Sequence, residues 1–417
     1  MSQPLALDLI RALPKVTLHD HLDGGLRPQT VIDHCLENGH EPPTRDAEEL
    51  ADWFYEHANS GSLVRYIATF EHTIAAMQTR EQLVRVAREF VLDQHADGVV
   101  YAEARWAPEQ HLRQGLTMAA AVEAVRDGLR EGMAEVKAGG GEIVAQQILC
   151  SMRHTAPSLD VADLTIAYRD QGVCGFDIAG AEDGFPPTRL AAAFDELKRA
   201  NAFFTIHAGE AFGLPSIWEA VQLCGAHRLG HGVRLADDIT RDDLTRDDLT
   251  RADGAAADVY ELRSSSPKQP IPGSLGHLDR SSYTPVPGTA SVAEAEGWRL
   301  GRLSSYIRDQ RIPLEVCPSS NLQTGVADTL ADHPVDLFKR LRFRVTINCD
   351  NRLQSRTTLS REFALLSETF GWTIDDVLWC TVNAMKSAFL PFDQRLRLIN
   401  EVIKPGFAER RPEAQIG

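Results

Sequence analysis

Side chains of the kind that bind metal ions end several short apolar runs of this sequence. His19 and His21 end one run, His207 ends a second and Asp350 ends a third. Because side chains two residues apart on a strand share a face, His19 and His21 can reach one ion together. Three imidazoles and one carboxylate form a ligand set that suits zinc. The pattern therefore predicts a metal centre.

Two more ionisable residues stand close to these runs. Glu210 lies three residues after His207, and His231 ends another apolar run. A carboxylic acid and a spare histidine beside a metal can move protons, so the set predicts a hydrolytic site. The alternative is that each histidine is an ordinary polar residue at the end of a buried strand, since His-x-His pairs recur without function.

The elements that must position these residues follow from the alternation of strand-like and helix-period segments along the chain. Eight such repeats predict an α/β fold, a (β/α)8 TIM-type barrel, formed by one domain that spans residues 1–417. In that architecture reactive side chains belong at the carboxyl ends of the strands, where all the candidates fall. The predicted strands are Val16–His19, Val99–Arg105, Val144–Leu149, Gly175–Ile178, Phe203–His207, His227–His231, Pro313–Val316 and Val345–Asn348.

Two segments depart from the repeat. Residues 29–80 are helical in pattern and rich in aromatics, which predicts an excursion after the first strand that roofs the site. Residues 237–297 are predicted to form a mobile insertion between the sixth and seventh strands. Here Thr240–Leu244 repeats as Thr245–Leu249, and a stretch crowded with Ser, Pro and Gly follows. This insertion is either a passive loop or a lid or oligomer contact.

The composition limits the possible functions. Apolar residues make up 43% of the chain and charged residues 24%, as in ordinary globular proteins. The net charge of −16 argues against a surface for nucleic acid or anionic membranes, which requires a basic patch. Seven cysteines without a Cys-x-x-Cys motif predict reduced thiols, and no signal-like or membrane-spanning run is evident. We therefore expect a cytoplasmic protein that binds neither nucleic acid nor membranes.

The candidate residues lie within longer motifs that resemble those of the adenosine deaminase family, which comprises zinc-dependent purine deaminases among the amidohydrolase-like barrels. The resemblance extends from about residue 11 to residue 395, apart from roughly 237–297. Several motifs in chain order are more specific than any one of them. The motifs are Pro14–Gly24, Tyr101–Pro108, Ile148–Arg153, Gly175–Glu182, His207–Glu210, Gly230–Gly232, Glu315–Asn321 and Asn348–Asp350.

The resemblance implies one Zn²⁺ per subunit, with an open position at which a water molecule becomes hydroxide for attack at purine C6. Iron, cobalt or manganese would suit the same ligands in vitro. The implied metal ligands are His19, His21, His207 and Asp350.

The resemblance also implies roles for the two neighbouring residues. Glu210 is similar to the family residue that protonates purine N1, which requires burial to raise the pKa of its carboxyl. His231 resembles the family histidine that orients the attacking hydroxide, and its imidazole can also take the proton of the water.

The implied substrate contacts are made by His21, Asp23, Gly180 and Asn351. Asp23 matches a carboxylate that accepts hydrogen bonds from a ribose hydroxyl, and the N–H of Gly180 matches a donor to purine N3. The alternatives are a capping aspartate and a simple turn glycine. Asn351 replaces an aspartate that many family members carry. Because an amide donates to the N7 acceptor at any pH, the change is compatible with purine binding, although it leaves the exact substrate open.

Three hypotheses about function follow. The first is hydrolytic deamination of adenosine and 2′-deoxyadenosine to inosine and 2′-deoxyinosine, a reaction of purine salvage. The second is deamination of adenine, N6-methyl-AMP or a modified adenine nucleoside. The third is a catalytically inactive binding protein on the same fold. The sequence leaves the oligomeric state open.

Overall fold

The computed structural model describes residues 3–241 and 297–411. Eight of its strands coincide with the predicted ones, to within about three residues at each end. The strands are β1 (Lys15–His21), β2 (Val99–Trp106), β3 (Val144–Met152), β4 (Val173–Ala179), β5 (Thr205–Ala208), β6 (Arg228–His231), β7 (Ile239–Arg241), β8 (Trp298–Leu300), β9 (Leu314–Val316) and β10 (Val345–Ile347).

Helices follow most of the strands and begin at identifiable caps. Thr79 and Gln82 form a capping box at the start of one long helix, and Thr117 caps the helix beside it. The α-helices are Leu7–Ala12, Pro28–Glu37, Ala47–Ala58, Leu63–Ala68, Phe70–Ala75, Arg80–Ala96, Met118–Ala138, Asp160–Ala167, Ala191–Arg199, Leu214–Trp218, Arg302–Asp309, Pro318–Gln323, Val335–Arg340, Leu359–Phe370, Ile374–Ser387, Phe392–Arg397 and Lys404–Ala408.

Eight strands form two parallel sheets of four, in the orders β1-β2-β3-β4 and β10-β9-β6-β5. Isolated parallel bridges join the two sheets at both edges. Asp20 pairs with Asp350 between β1 and the end of β10, and Phe176 pairs with Phe204 between β4 and the start of β5. The Asn348 side chain reinforces the first junction, because its Oδ1 accepts the N–H groups of two β1 residues at 2.8 and 3.1 Å.

The eight strands of the two parallel sheets are almost entirely buried, on both faces. All seven residues of β1 and all four of β6 are buried. The seven cysteines are buried free thiols. None of the helices within residues 3–241 and 297–411 is long and apolar enough to cross a membrane.

Some elements differ from the prediction. The helix-period segments Thr188–Ala200 and Ile217–Cys224 each predict a helix. In the structure the first begins as a 3-10 turn, Pro187–Leu190, and the second ends in a π-helical turn, Glu219–Cys224. The antiparallel pair of β7 with β8 was not predicted, because each strand has only three residues. Residues 242–296 of the predicted insertion lie outside the described residues, so its mobility, and a single domain over 1–417, stay predictions.

A network of charged side chains lies inside the core. The guanidinium of Arg105 donates to Asp177 and to Glu315, each at 2.8 Å. Arg228 contacts the other Glu315 oxygen at 2.6 Å and donates to Glu103 at 2.6 Å. Burial would raise the pKa of Glu315, but Arg105 and Arg228 outweigh burial and hold that pKa well below its usual range. The network is therefore ionised and compensated.

Removing one partner of this network should lower the stability of the folded protein. We expect Arg105→Met to lower the free energy of unfolding by about 3–5 kcal/mol, because Asp177 and Glu315 would each lose a buried cationic partner. Urea unfolding of the metal-free protein would measure the change. Arg397→Met is the matched control, because Arg397 pairs with Glu142 on the surface, and it should cost less than about 1 kcal/mol. Equal losses for the two variants would contradict the compensated network.

Candidate active site

Four predicted ligand side chains converge at the carboxyl ends of β1, β5 and β10. Nε2 of His19 and Nε2 of His21 lie 3.2 and 3.3 Å from Oδ1 of Asp350. Nε2 of His207 lies 3.3 Å from Nε2 of His21. One ligand atom from each of the four residues lies within 4.8 Å of the others. This arrangement requires β1 and β10 to be neighbours, which the bridge between the sheets provides.

The donor chemistry of the cluster fits a metal ion. Nδ1 of His19 lies 3.1 Å from Glu315 Oε2, and Nδ1 of His207 lies 2.8 Å from Asp177 Oδ2. A carboxylate at Nδ1 fixes the ring and leaves the Nε2 lone pair for a metal, as in carboxylate–histidine–zinc triads. The buried Nε2 of His19 has no hydrogen-bond partner of its own. The residues present therefore suit a divalent cation.

The cluster carries electrostatic and backbone signs of a functional site. Burial lowers the pKa of His21 well below its usual value, which keeps the imidazole neutral as metal binding requires. Asp350 has a backbone φ of 61° and His231 one of 60°, both in the left-handed region. Such conformations are uncommon outside glycine and collect at functional sites.

Glu210 and His231 lie side by side next to the ligand cluster. Oε2 of Glu210 is 3.5 Å from Nε2 of His231, and both residues come close to Asp350. Burial, followed by the charges of Asp350 and Glu182, raises the pKa of Glu210 well above its usual value. Burial therefore favours the protonated form of the Glu210 carboxyl.

A chain of hydrogen bonds fixes which ring nitrogen of the neutral His231 carries the proton. The backbone N–H of Val335 donates to Nδ1 of His333 at 3.1 Å, so the proton of that ring is on Nε2, 3.2 Å from Asn321 Oδ1. With its oxygen accepting from His333, Asn321 turns its amide N–H toward Nδ1 of His231 at 3.1 Å. Nδ1 of His231 thus accepts, and its proton resides on Nε2, which faces Glu210.

The other three predicted substrate-binding residues line one cavity together with His21, His207 and Asp350. Asp23 follows β1, and burial raises the pKa of its carboxyl to about 7. Gly180 has a φ of +101°, and a Cβ there would lie 2.6 Å from the His154 ring. Only glycine fits that backbone position. Asn351 is buried, and its Oδ1 has no hydrogen-bond partner.

The cavity has a volume of about 360 Å³, which suits a small-molecule ligand. The helices Leu63–Ala68 and Phe70–Ala75 form its roof. Its floor is lined by His21, His207, Asp350, Glu210 and His231. Tyr66 ties this roof to the floor, since its hydroxyl lies 3.3 Å from Ser355 Oγ. The helical excursion after β1 therefore covers the site. Among the described lining residues there is no lysine or arginine.

Sequence reasoning gave no role to the residues that orient the cluster. Asp177 and Glu315 contact ligand histidines, and Asn321 and His333 fix His231. A signal was present for two of them, since Asp177 and Glu315 are charged residues inside apolar strands. A buried charge needs a partner, but the sequence does not say which one.

These features define a class: a metal-dependent hydrolytic site at the carboxyl ends of parallel strands in an α/β fold. The adenosine deaminase family model matches residues 14–405. Adenosine deaminase 1 of Streptomyces coelicolor is 53% identical over 407 residues, covering 97% of this chain and 90% of that protein. The adenosine deaminase of Mycobacteroides abscessus is 50% identical over 409 residues, covering 98% and 99%.

The chain belongs to the adenosine deaminase family, which confirms the resemblance seen in its motifs. A solved structure of an amidohydrolase from Burkholderia ambifaria with bound zinc has a similar fold. Its TM-score is 0.73 and its sequence identity 22%, over 98% of this chain and 95% of that one. At 22% identity this similarity is evidence for a shared fold and not for a shared activity.

Proposed function

We propose that this protein catalyses hydrolytic deamination of adenosine and 2′-deoxyadenosine to inosine and 2′-deoxyinosine, with release of ammonia. The observation that carries the proposal is the convergence of three imidazoles and Asp350 beside the buried carboxyl of Glu210, whose pKa is raised. Membership of the adenosine deaminase family, at about half identity over nearly the full length, supports the same reaction.

The two sheets, in this proposal, close into one (β/α)8 barrel. Parallel bridges at both edges, Asp20 with Asp350 and Phe176 with Phe204, support closure. In such barrels the active site lies at the carboxyl ends of the strands, where the ligand cluster lies. Closure explains how residues 331 positions apart in sequence, His19 and Asp350, come within 3.2 Å.

The metal is zinc in this proposal, one ion per chain. Imidazole nitrogen and carboxylate oxygen are both zinc ligands, and catalytic zinc can expand to five-coordinate, which would admit a water beside these four side chains. When bound, zinc lowers the pKa of a coordinated water from about 15.7 to about 7 and so supplies a nucleophile at neutral pH. The residues that would hold it are His19, His21, His207 and Asp350.

The protein's own residues then manage the protons. Attack at C6 sends electrons toward N1 of the purine, which must receive a proton. Glu210 is the donor, because burial favours the protonated form of its carboxyl. His231 presents an N–H at Nε2, because Asn321 donates to its Nδ1. It therefore orients the attacking oxygen as a hydrogen-bond donor. Of the two roles that the resemblance allows His231, the hydrogen-bond chain favours orientation over proton removal.

The substrate contacts follow the family resemblance, and all four residues line the cavity. The Asp23 carboxyl bonds a ribose hydroxyl, His21 contacts the bound nucleoside, the N–H of Gly180 donates to N3, and the Asn351 amide donates to N7. A free nucleoside suits the cavity better than a nucleotide. A phosphate would find no cation among the described lining residues, while Asp23 and Glu71 would repel it.

The Asn351 contact can be tested with a substrate analogue. We expect Asn351→Ala to lower kcat/KM for adenosine about tenfold, because N7 loses a hydrogen-bond donor. The control is 7-deazaadenosine, in which a C–H replaces N7. Steady-state assays should show that the substitution hardly changes turnover of this analogue. Equal losses with both substrates would contradict the contact.

The experiment that tests the proposed function is a substrate panel. Zinc-loaded protein is incubated with adenosine, 2′-deoxyadenosine, adenine, AMP and N6-methyl-AMP, and the products are separated by HPLC. We expect both nucleosides to be converted with a kcat/KM at least about 100-fold above that of the others. Preference for adenine or a nucleotide would overturn the substrate assignment. Failure to turn over any of them would support an inactive binding protein.

A further inference from the structure

A single carboxylate anchors the loop after β5 and takes no direct part in the proposed proton transfers. Glu182 is buried, and its side chain accepts four consecutive backbone N–H groups. Oε1 accepts from Gly209 at 2.6 Å. Oε2 accepts from Glu210 at 3.1 Å, from Ala211 at 2.7 Å and from Phe212 at 2.8 Å.

The shape of the loop explains why a carboxylate belongs there. Gly209 has a φ of +75°, which turns the chain so that the N–H groups of 209–212 point toward one place. Successive N–H groups of this kind form a concave anion site. Here the anion is part of the chain itself. A side chain at 209 would not fit, since a Cβ would lie 2.4 Å from Ile217.

The Glu210 side chain depends on this anchored backbone for its position. Its Oε1 has no hydrogen-bond partner, and its Oε2 is 3.5 Å from His231 Nε2. The side chain also meets Thr324. These contacts leave the Glu210 carboxyl free to face a ligand, so the loop sets where it points.

We propose that Glu182 is a positioning residue for the deamination: by anchoring residues 209–212 it sets where the Glu210 carboxyl meets the substrate. This inference rests on the proposed function. Glu182 does not touch the substrate in this account and acts only through Glu210. A second group helps hold the start of the loop, because Arg153 donates to the carbonyl of His207 at 2.8 Å.

The test is a double-mutant cycle with E182Q and Glu210→Gln. A glutamine offers one acceptor oxygen and turns an NH₂ toward at least one of the loop N–H groups. In the zinc-loaded protein E182Q should lower kcat about 100-fold, as expected for a misplaced catalytic group. KM should stay within about threefold and zinc content should be unchanged, because the metal ligands are intact. On a Glu210→Gln background E182Q should cost less than about threefold.

Asp97→Asn is the matched control. Asp97 is also buried and caps a backbone N–H, that of Ser360 at 2.9 Å, but it lies just before β2, at the opposite end of the strands. It should leave kcat within about twofold of the wild type. A wild-type kcat for folded E182Q, or equal losses on both backgrounds, would overturn the positioning role.

A second variant serves if the first does not fold, and a second measurement tests the anchor without relying on the proposed function. E182D retains the charge but withdraws the carboxylate by one methylene, and it enters the same cycle if E182Q does not fold. Amide hydrogen exchange measures how well the N–H groups of residues 209–212 are protected, and it needs no substrate. Amides 209–212 should exchange at least about tenfold faster in either variant, while those of β6 stay protected. Unchanged exchange would overturn the anchor even if adenosine proved not to be the substrate.

Discussion

Glu210→Gln should reduce kcat for adenosine by about 10²–10⁴-fold, the range expected when a positioned general acid is lost. The Glu210 carboxyl lies in the cavity with a raised pKa and an Oε1 that has no hydrogen-bond partner. An amide of the same shape cannot deliver a proton to N1. Product analysis by HPLC measures the rate, and elemental analysis of the same sample measures zinc.

The control for this substitution is Glu89→Gln. Glu89 is also buried and accepts from Thr30 Oγ1 at 2.7 Å, but it lies on the helix Arg80–Ala96, away from the cavity. Its variant should retain wild-type kcat. Turnover by zinc-loaded Glu210→Gln at the rate of the Glu89→Gln control would contradict the assignment of Glu210 as the acid.

Removal of the metal should have the other large effect. We expect a chelator to reduce turnover at least about 10⁴-fold, since an unactivated water has a pKa near 15.7 rather than about 7. Added Zn²⁺ should restore it. Thermal denaturation should also change, because a ligand at 1,000 times its Kd stabilises the native state by about 4 kcal/mol.

Two histidine variants test whether zinc binds at the four converging side chains or elsewhere on the protein. His207→Ala should lose stoichiometric zinc, because it removes one of the four ligand atoms that converge. His40→Ala should keep one zinc per chain, since His40 pairs with His72 at 2.8 Å on the helical excursion. Full zinc content in His207→Ala would show that the metal is held elsewhere.

The sequence predicted the positions of the strands well because a buried parallel strand is a short apolar run whatever it packs against. The sequence alone therefore places the residues that end such runs, His19 among them, at one edge of the fold. The eight predicted strands lie where the structure has them. Neither the pairing of β7 with β8 nor the π-helical turn at Glu219–Cys224 leaves a pattern of this kind.

The contacts between the site and its surroundings could not be predicted in the same way. The ion pairs of Arg105 and the hydrogen bonds of Glu182 join segments that are distant in sequence. Both sets of contacts depend on which strands are neighbours and on the distances between side chains. A local sequence pattern predicts neither the strand neighbours nor these distances. Asn321 illustrates the point, because its effect on His231 follows only from the orientation that His333 imposes.

The most direct test of the central claim is to incubate zinc-loaded protein with adenosine in H₂¹⁸O and to quantify inosine and ammonia together. We expect equal amounts of the two products, with one ¹⁸O at C6 of inosine, and at least about a 100-fold slower reaction for Glu210→Gln. Inosine without matching ammonia, inosine without the label, or the same rate in Glu210→Gln would contradict it.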